Sequence, residues 1–375
     1  MTIELSPDQR EAIDRVTAWW RGDLDSQWFS LAGHAGTGKT TIIFHLLKHL
    51  GSRVVVAAPT GKAALRLREK GVDASTIHQL AYHYAGIDEA GDMLFDFAGI
   101  KHQPTLVIID EASMINQAVF DDLRGEGYRM LFVGDHGQLA PVGGDPGLMR
   151  EPDFTLSVIH RQDDEGLLDF AHALRQGEWL PDARGAVEKR WLDPRGHDAV
   201  LDDALRADVM LCWRNQTRHW LNRIALSKYF RIEADDNVPA VLTDLRGEVV
   251  RAVCLRNDYK RGVFNGLVVD LRIGELHGDS LLHAEIVIDS KKYGEKSRPV
   301  LVDTRGFFLD QRGYQPPQGH LLFDFGYCLT VHKAQGSEWP HVAVYDDTYR
   351  GFEDRARFCY TAATRAKKRL TWMHR

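Results

Sequence analysis

Along the N-terminal part of the chain, short continuous apolar runs alternate with helical periodicity. Residues 28–32, 54–58, 106–109 and 130–133 are such runs, each followed by a polar or glycine-containing loop, and residues 42–50 read as an apolar helix. Continuous rather than alternating hydrophobicity predicts parallel strands covered on both faces. The expected class is therefore α/β, with chemistry at the carboxyl ends of the strands. Gly33, Pro59, Asp110 and Asp135 fall at those ends.

The pattern breaks at 82–104, where Tyr82-His-Tyr and Met93-Leu-Phe-Asp-Phe with two glycines predict an inserted hairpin. A second α/β region follows, with a strand at 209–213, a helix at 216–228 and a return near Phe323. Between its halves lie short alternating strands at 248–255, 267–272, 283–288 and 300–303, the pattern of a small inserted β-barrel. The predicted boundaries are 1–155 for a first core carrying the 82–104 insertion, 156–242 with 318–375 for a second core, and 243–317 for the barrel.

Composition adds little. At 375 residues there is room for roughly two or three cores, and 44% hydrophobic with 27% charged residues is ordinary for a globular protein. A net charge of −6 argues against a uniformly basic coat but permits a local positive groove. Cys212, Cys254, Cys328 and Cys359 form no C-x-x-C, so neither a zinc site nor a disulfide framework is expected. No signal pattern or bilayer-length apolar run occurs, and a reducing, cytoplasmic setting is the expectation.

The chemistry begins at Gly33-His-Ala-Gly-Thr-Gly-Lys39-Thr40, which is G-x-x-x-x-G-K-T between a strand and a helix. Glycines 33, 36 and 38 let backbone N–H groups turn inward toward phosphate oxygens, helped by the N-terminus of the following helix. Gly33, Ala35, Gly36, Thr37, Gly38, Lys39, Thr40 and Thr41 are thus expected to hold a nucleoside triphosphate, with Thr40 on Mg²⁺. Asp110 and Glu111 end an apolar strand, Asp110 suited to hold Mg²⁺ and Glu111 to activate water. Gln138, in the loop after the 130–133 strand, is a candidate γ-phosphate sensor. Ser6-Pro-Asp-Gln9 spells a capping box, which explains Gln9 without any ligand, so on physical grounds the cap is preferred. Arg161 and Arg365 are candidate arginine fingers.

Taken in order, these motifs resemble superfamily 1 helicases, and within them the 5′→3′ branch of RecD-like enzymes and the phage Dda helicase. The discriminating stretches are Gly134-Asp135-x-x-Gln138-Leu139-Ala-Pro141 and Thr330-Val-His332-Lys333-Ala-Gln335-Gly336-Ser337-Glu338. Residues 58–64, 75–78 and 360–366 resemble further motifs of the family. The resemblance implies two RecA-like cores with ATP and Mg²⁺ between them. It makes Gln9 an adenine reader, reversing the preference above, with cap and reader compatible in one residue. It makes Arg161 and Arg365 fingers from the second core. Gln335 and Glu338 would couple nucleotide to DNA, Glu338 through the ribose, with Gly336 among the nucleotide-binding residues. The insertion at 82–104 would be a strand-separating pin, and the segment at 262–266 the start of an SH3-like barrel.

The same resemblance implies a single-stranded DNA track with ss/ds junctions as substrate. Pro59, Thr60, Lys62, His78, Thr330 and His332 are its motif-matched residues, and Trp213, Trp220 and Trp339 are candidates to stack on bases, with core packing the preferred role for Trp220. His136-Gly137 and Ala140 depart from the family pattern, with altered loop stiffness and retained activity expected. A compact bacterial or phage enzyme, acting beside replication or recombination proteins, is the implied setting. The alternatives are a translocase that does not unwind, a motor subunit of a recombination or nuclease complex, and an ATP-dependent switch.

Overall fold

A capping box opens the first helix: the Ser6 side chain accepts from Gln9 N, the Gln9 side chain accepts from Ser6 N, and Pro7 takes the first helical position. The structure, a computed structural model, describes residues 5–23, 25–51, 53–87, 93–100, 103–141, 143–158, 165–192, 197–258, 261–288, 296–308, 314, 316–349 and 351–374, without the side chains of 87, 93 and 197–199. These divide into a unit of 1–86 with 94–163 and a unit of 87–93 with 164–375.

The first unit runs α1 (Pro7–Arg21), β1 (Trp28–Gly33), α2 (Lys39–Leu50), β2 (Val54–Ala58), α3 (Gly61–Glu69), β3 (Ala74–Thr76) and α4 (Ile77–Ala81). The hairpin strands β4 (Tyr82–Ile87) and β5 (Met93–Phe97) follow, then β6 (Leu106–Ile109), α5 (Gln117–Gly125), β7 (Met130–Gly134) and β8 (Phe154–Leu156). The sheet order is β3-β2-β6-β7-β1-β8, with neighbours parallel. Successive side chains point to opposite faces. Leu106, Ile108, Leu131 and Val133 accordingly fill one core layer, and Val107, Ile109 and Phe132 the other. That double burial is why these strands read as unbroken apolar runs. Because β8 pairs with β1 through Leu31 and Phe154, this unit continues beyond residue 155, where sequence reading ended it.

The second unit runs α6 (Glu165–Arg175), β9 (Val187–Trp191), α7 (His197–Ala204), β10 (Val209–Cys212), α8 (Asn215–Phe230) and α9 (Val238–Asp244). A closed barrel follows, made of β11 (Val249–Cys254), β12 (Val268–His277), β13 (Leu281–Ile288), β14 (Lys296–Asp303) and β15 (His320–Phe325). The chain ends with β16 (Cys328–Thr330), α10 (Val331–Ala334), β17 (Trp339–Tyr345), α11 (Arg355–Ala363) and β18 (Ala366–His374). The parallel sheet has the order β16-β10-β17-β18-β9.

One strand sits elsewhere than its sequence suggested. The sequence predicts that the second core resumes near Phe323, yet β15 pairs antiparallel with β11 and parallel with β14, closing the barrel. The predicted boundary at 317/318 therefore cuts through it. Immediately behind this seam the Arg218 guanidinium of α8 pairs with the Asp324 carboxylate of β15, and both are essentially buried. Asp324 Oδ1 also accepts from Phe308 N at 3.0 Å and Phe325 N at 2.8 Å. Barrel and sheet share one apolar cluster, which includes Cys212, Leu226, Ala252 and Phe325.

Candidate nucleotide and nucleic-acid sites

The loop between β1 and α2 is held in the shape a phosphate cradle needs. Gly36 and Gly38 have φ of 88° and 80°, in the left-handed region where only glycine is unstrained. Lys39 Nζ donates to the carbonyls of Gly33 at 2.6 Å and His34 at 3.1 Å, folding the ammonium over the loop. Thr40 and Thr41 occupy the first turn of α2, and Thr41 N bonds Gly38 O at 2.9 Å. Gln9 is buried against this loop, with Nε2 donating to Thr37 O at 3.0 Å. Its side chain is both a cap and a phosphate-loop contact.

Asp110 and Glu111 follow β6. Burial, then the neighbouring Glu111 charge, raise the Asp110 carboxyl to about 6 against the pull of Lys39. Glu111 has φ 55° and ψ 38°, a left-handed conformation unusual outside glycine, and begins the short 3-10 turn Ala112–Met114. Its Oε2 is buried without a hydrogen-bond partner. Gln138 is likewise buried, and its Oε1 also lacks a partner. Such orphaned acceptors are rare in folded proteins. Here they mark groups arranged for something other than the protein's own hydrogen bonding.

Sequence reasoning did not assign Asp135 a role, although it noted its place at a strand end. Asp135 is fully buried, lies 3.6 Å from His34 Nδ1, and accepts from Gly137 N at 2.9 Å. Burial by itself would raise its carboxyl, but the His34 hydrogen bond, Lys39 and the Gly137 N–H outweigh burial and hold it well below the usual carboxylate range. The legible signal was the strand followed by Asp-x-Gly, a turn in which the carboxylate folds back onto its own backbone.

In the second unit, Arg365 is buried and tied to its own surroundings. Nε donates to Thr361 O at 3.0 Å, Nη1 to Ser337 O at 3.2 Å and Nη2 to Thr364 Oγ1 at 3.0 Å. Arg161 lies outside the described residues. Gln335 Nε2 and Ser337 Oγ are buried without partners, and Gly336 between them has φ 73°. Glu338, expected at a ribose, stands 3.3 Å from Lys367 Nζ.

The residues expected along a DNA track lie at strand and helix junctions. Pro59 follows β2, Thr60 Oγ1 caps α3 by accepting from Ala63 N at 3.2 Å, and Lys62 is in the first turn of that helix. His78, on α4, stacks on Tyr82 with centroids 4.9 Å apart and meets Phe95 edge-on at 5.3 Å. Burial lowers its pKa. Thr330 caps α10 through Lys333 N at 3.4 Å. His332 packs 4.9 Å from Trp213, and burial keeps its imidazole toward the neutral form. Trp213 also meets Phe352 and Phe358, while Asp347 accepts from Trp213 N and Arg214 N at 2.7 and 3.1 Å. Trp339 starts β17 beside Ala366. Trp220, expected in the core, is 38% exposed and lines a pocket with Trp179, Arg214 and Tyr345.

A family model described as an AAA domain matches residues 4–190, and one described as a UvrD-like helicase C-terminal domain matches residues 325–372. The ATP-dependent RecD2 DNA helicase of Deinococcus radiodurans is 31% identical to this chain over 98% of its length. Over nearly its whole length the chain is similar to RecD-like helicases. It spans 48% of RecD2 and 30% of a second relative, the conjugal transfer protein TraA of Rhizobium radiobacter, which is 25% identical over 91% of this chain. The RecD-like fold, with its two RecA-like sheets, hairpin and inserted barrel, is shared with Pif1 helicases. Bacteroides Pif1 bound to ssDNA has a TM-score of 0.56 at 16% identity, covering 99% of this chain and 92% of that one. Candida albicans Pif1 has a TM-score of 0.53 at 18% identity, covering 100% and 96%. Among the described residues of this RecD-like chain, no helix is long and apolar enough to cross a membrane.

Proposed function

We propose that this chain is an ATP-driven DNA motor that moves 5′→3′ along a single strand and unwinds the duplex ahead of it. One observation carries the reading: Glu111 is held in a left-handed backbone with a buried, unpartnered carboxylate oxygen, next to an Asp110 that feels the charge of Lys39. A non-glycine residue in that conformation costs about 1–3 kcal/mol, a strain that proteins retain mainly where function uses it.

The residues present suit magnesium-bound ATP. Two glycines in left-handed conformation shape a loop over which Lys39 is already folded. The orphaned oxygens of Glu111 and Gln138 are acceptors for a water or a phosphate-bound proton. Thr40 and Asp110 would hold Mg²⁺, which supplies charge neutralisation on the phosphates. Lys39 would position the phosphates, Glu111 would take the proton of the attacking water, and Gln138 would sense the terminal phosphate. Arg161 and Arg365 would meet that phosphate as arginine fingers.

Pro59, Thr60, Lys62, His78, Thr330 and His332 would grip the strand mainly by phosphate contacts and stacking, without reading sequence. Gln335 Nε2 and Ser337 Oγ, buried and unpartnered, support a relay between nucleotide and DNA in that part of the chain. The 5′→3′ direction rests on kinship with RecD-like helicases. ATP hydrolysis measured with and without single-stranded DNA tests the motor. Strong stimulation, falling as salt rises, is expected. Hydrolysis indifferent to DNA would favour a switch protein.

A further inference from the structure

Beside the phosphate loop, three side chains converge that the motor reading does not use. Nδ1 of His34, in the loop after β1, lies 3.6 Å from Oδ1 of Asp135, in the loop after β7. The His34 and His136 rings are 4.6 Å apart and inclined at 48°. One ligand atom from each of the three residues lies within 4.8 Å of the other two. The His34 side chain is only 12% exposed and Asp135 is fully buried, so two of the three donors are set in a built recess, with His136 partly buried beside them.

We propose that His34, Asp135 and His136 form a binding site for one divalent transition-metal ion of the zinc class. The donor set decides the class. Two imidazoles and a carboxylate suit Zn²⁺, Co²⁺, Ni²⁺ or Cu²⁺, whereas Mg²⁺ favours oxygen donors and retained water. The site is thus chemically distinct from a Mg²⁺ position at Thr40 and Asp110. Metal–ligand bonds of about 2.0–2.2 Å require the three donors to draw together by roughly an ångström. Three protein donors leave a fourth tetrahedral position open for water. A bound ion would link the phosphate loop directly to the loop that carries Gln138, two residues beyond His136.

The test is metal binding by the full chain, free of nucleotide and DNA, so its outcome is independent of motor activity. Chelator-stripped protein titrated with Co²⁺ should bind one tight equivalent, with visible d–d absorption and no thiolate-to-cobalt charge transfer. Zn²⁺ should displace it and excess Mg²⁺ should not. His136→Ala and His34→Asn should each weaken binding by roughly tenfold or more, since each removes one of three ligands. Circular dichroism would confirm that these variants fold, and His136→Gln replaces the first if it does not. His49→Ala controls for the stacked His45 and His49 pair one turn apart on α2, whose rings are 4.2 Å apart. It should leave the tight equivalent intact. No tight equivalent, a thiolate band, equal binding in the His34 and His136 variants, or loss of the site in His49→Ala would each overturn the proposal.

Discussion

Gln9 Nε2 donates to the Thr37 carbonyl at 3.0 Å while Gln9 Oε1 accepts from Ser6 N at 3.1 Å. One amide therefore closes the start of α1 and touches the phosphate loop, so the capping and nucleotide-reading roles do not compete for the same atom. Gln9→Ala should cost about 1 kcal/mol of stability through the lost hydrogen bonds to Ser6 N and Thr37 O, with the Ser6 cap kept. If Nε2 exchanges Thr37 for the adenine edge, KM for ATP should also rise about five- to thirtyfold, the worth of about 1–2 kcal/mol of hydrogen bonding, with little change in kcat. Thermal melting and steady-state kinetics check both. A stability loss with unchanged KM would leave Gln9 as a cap alone.

Glu111 carries the proton transfer in the proposed chemistry. Glu111→Gln keeps the shape and removes the base, so turnover should fall by about 10²–10⁴ while nucleotide affinity persists. Lys39→Ala should instead lose affinity. Fluorescent-nucleotide titration beside single-turnover hydrolysis separates the two, and equal loss of both in Glu111→Gln would remove that residue from the acid–base role.

Arg365 is locked by Thr361, Ser337 and Thr364, which present its guanidinium in a fixed orientation. Arg365→Ala should reduce turnover by about 10³–10⁵ if the group acts as a finger. Arg365→Lys should not restore it, because an ammonium cannot reproduce the planar fork. Retained nucleotide binding in both variants, measured by titration, is the expected companion result, and turnover close to wild type would exclude a finger role.

The Arg218–Asp324 pair holds the barrel seam to α8 in the buried interior. Asp324→Ala strands the Arg218 charge and should cost about 3–5 kcal/mol. Replacing both together, as Arg218→Met with Asp324→Asn, which keeps an acceptor for Phe308 N and Phe325 N, should recover much of that loss. Urea unfolding followed by tryptophan fluorescence measures the series. A mild single-variant effect would show that water reaches the pair.

Local chemistry was legible where a motif demands particular residues within a few positions. The phosphate loop, the strand ending at Asp110 and the apolar layers of β6 and β7 belong to that kind. Partnership across long separations was not. His320–Phe325 is a run of mostly apolar residues that a parallel core strand or a barrel strand would equally accept, and only pairing with β11 and β14 decides. Glu338 reads as a motif residue, while its contact with Lys367 depends on how β17 and β18 align. The approach of His34 to Asp135 spans two loops that the sheet order brings together through adjacent β1 and β7. Trp220 reads as core from its place on the 216–228 helix, but α8 turns it toward a pocket.

Strand displacement on matched duplexes carrying either a 5′ or a 3′ single-stranded tail tests the central claim most directly. With ATP and Mg²⁺, the wild-type chain should separate the 5′-tailed duplex and Glu111→Gln should separate neither. Unwinding confined to the 3′-tailed duplex, or displacement that persists in Glu111→Gln, would contradict a 5′→3′ motor driven by this ATP site.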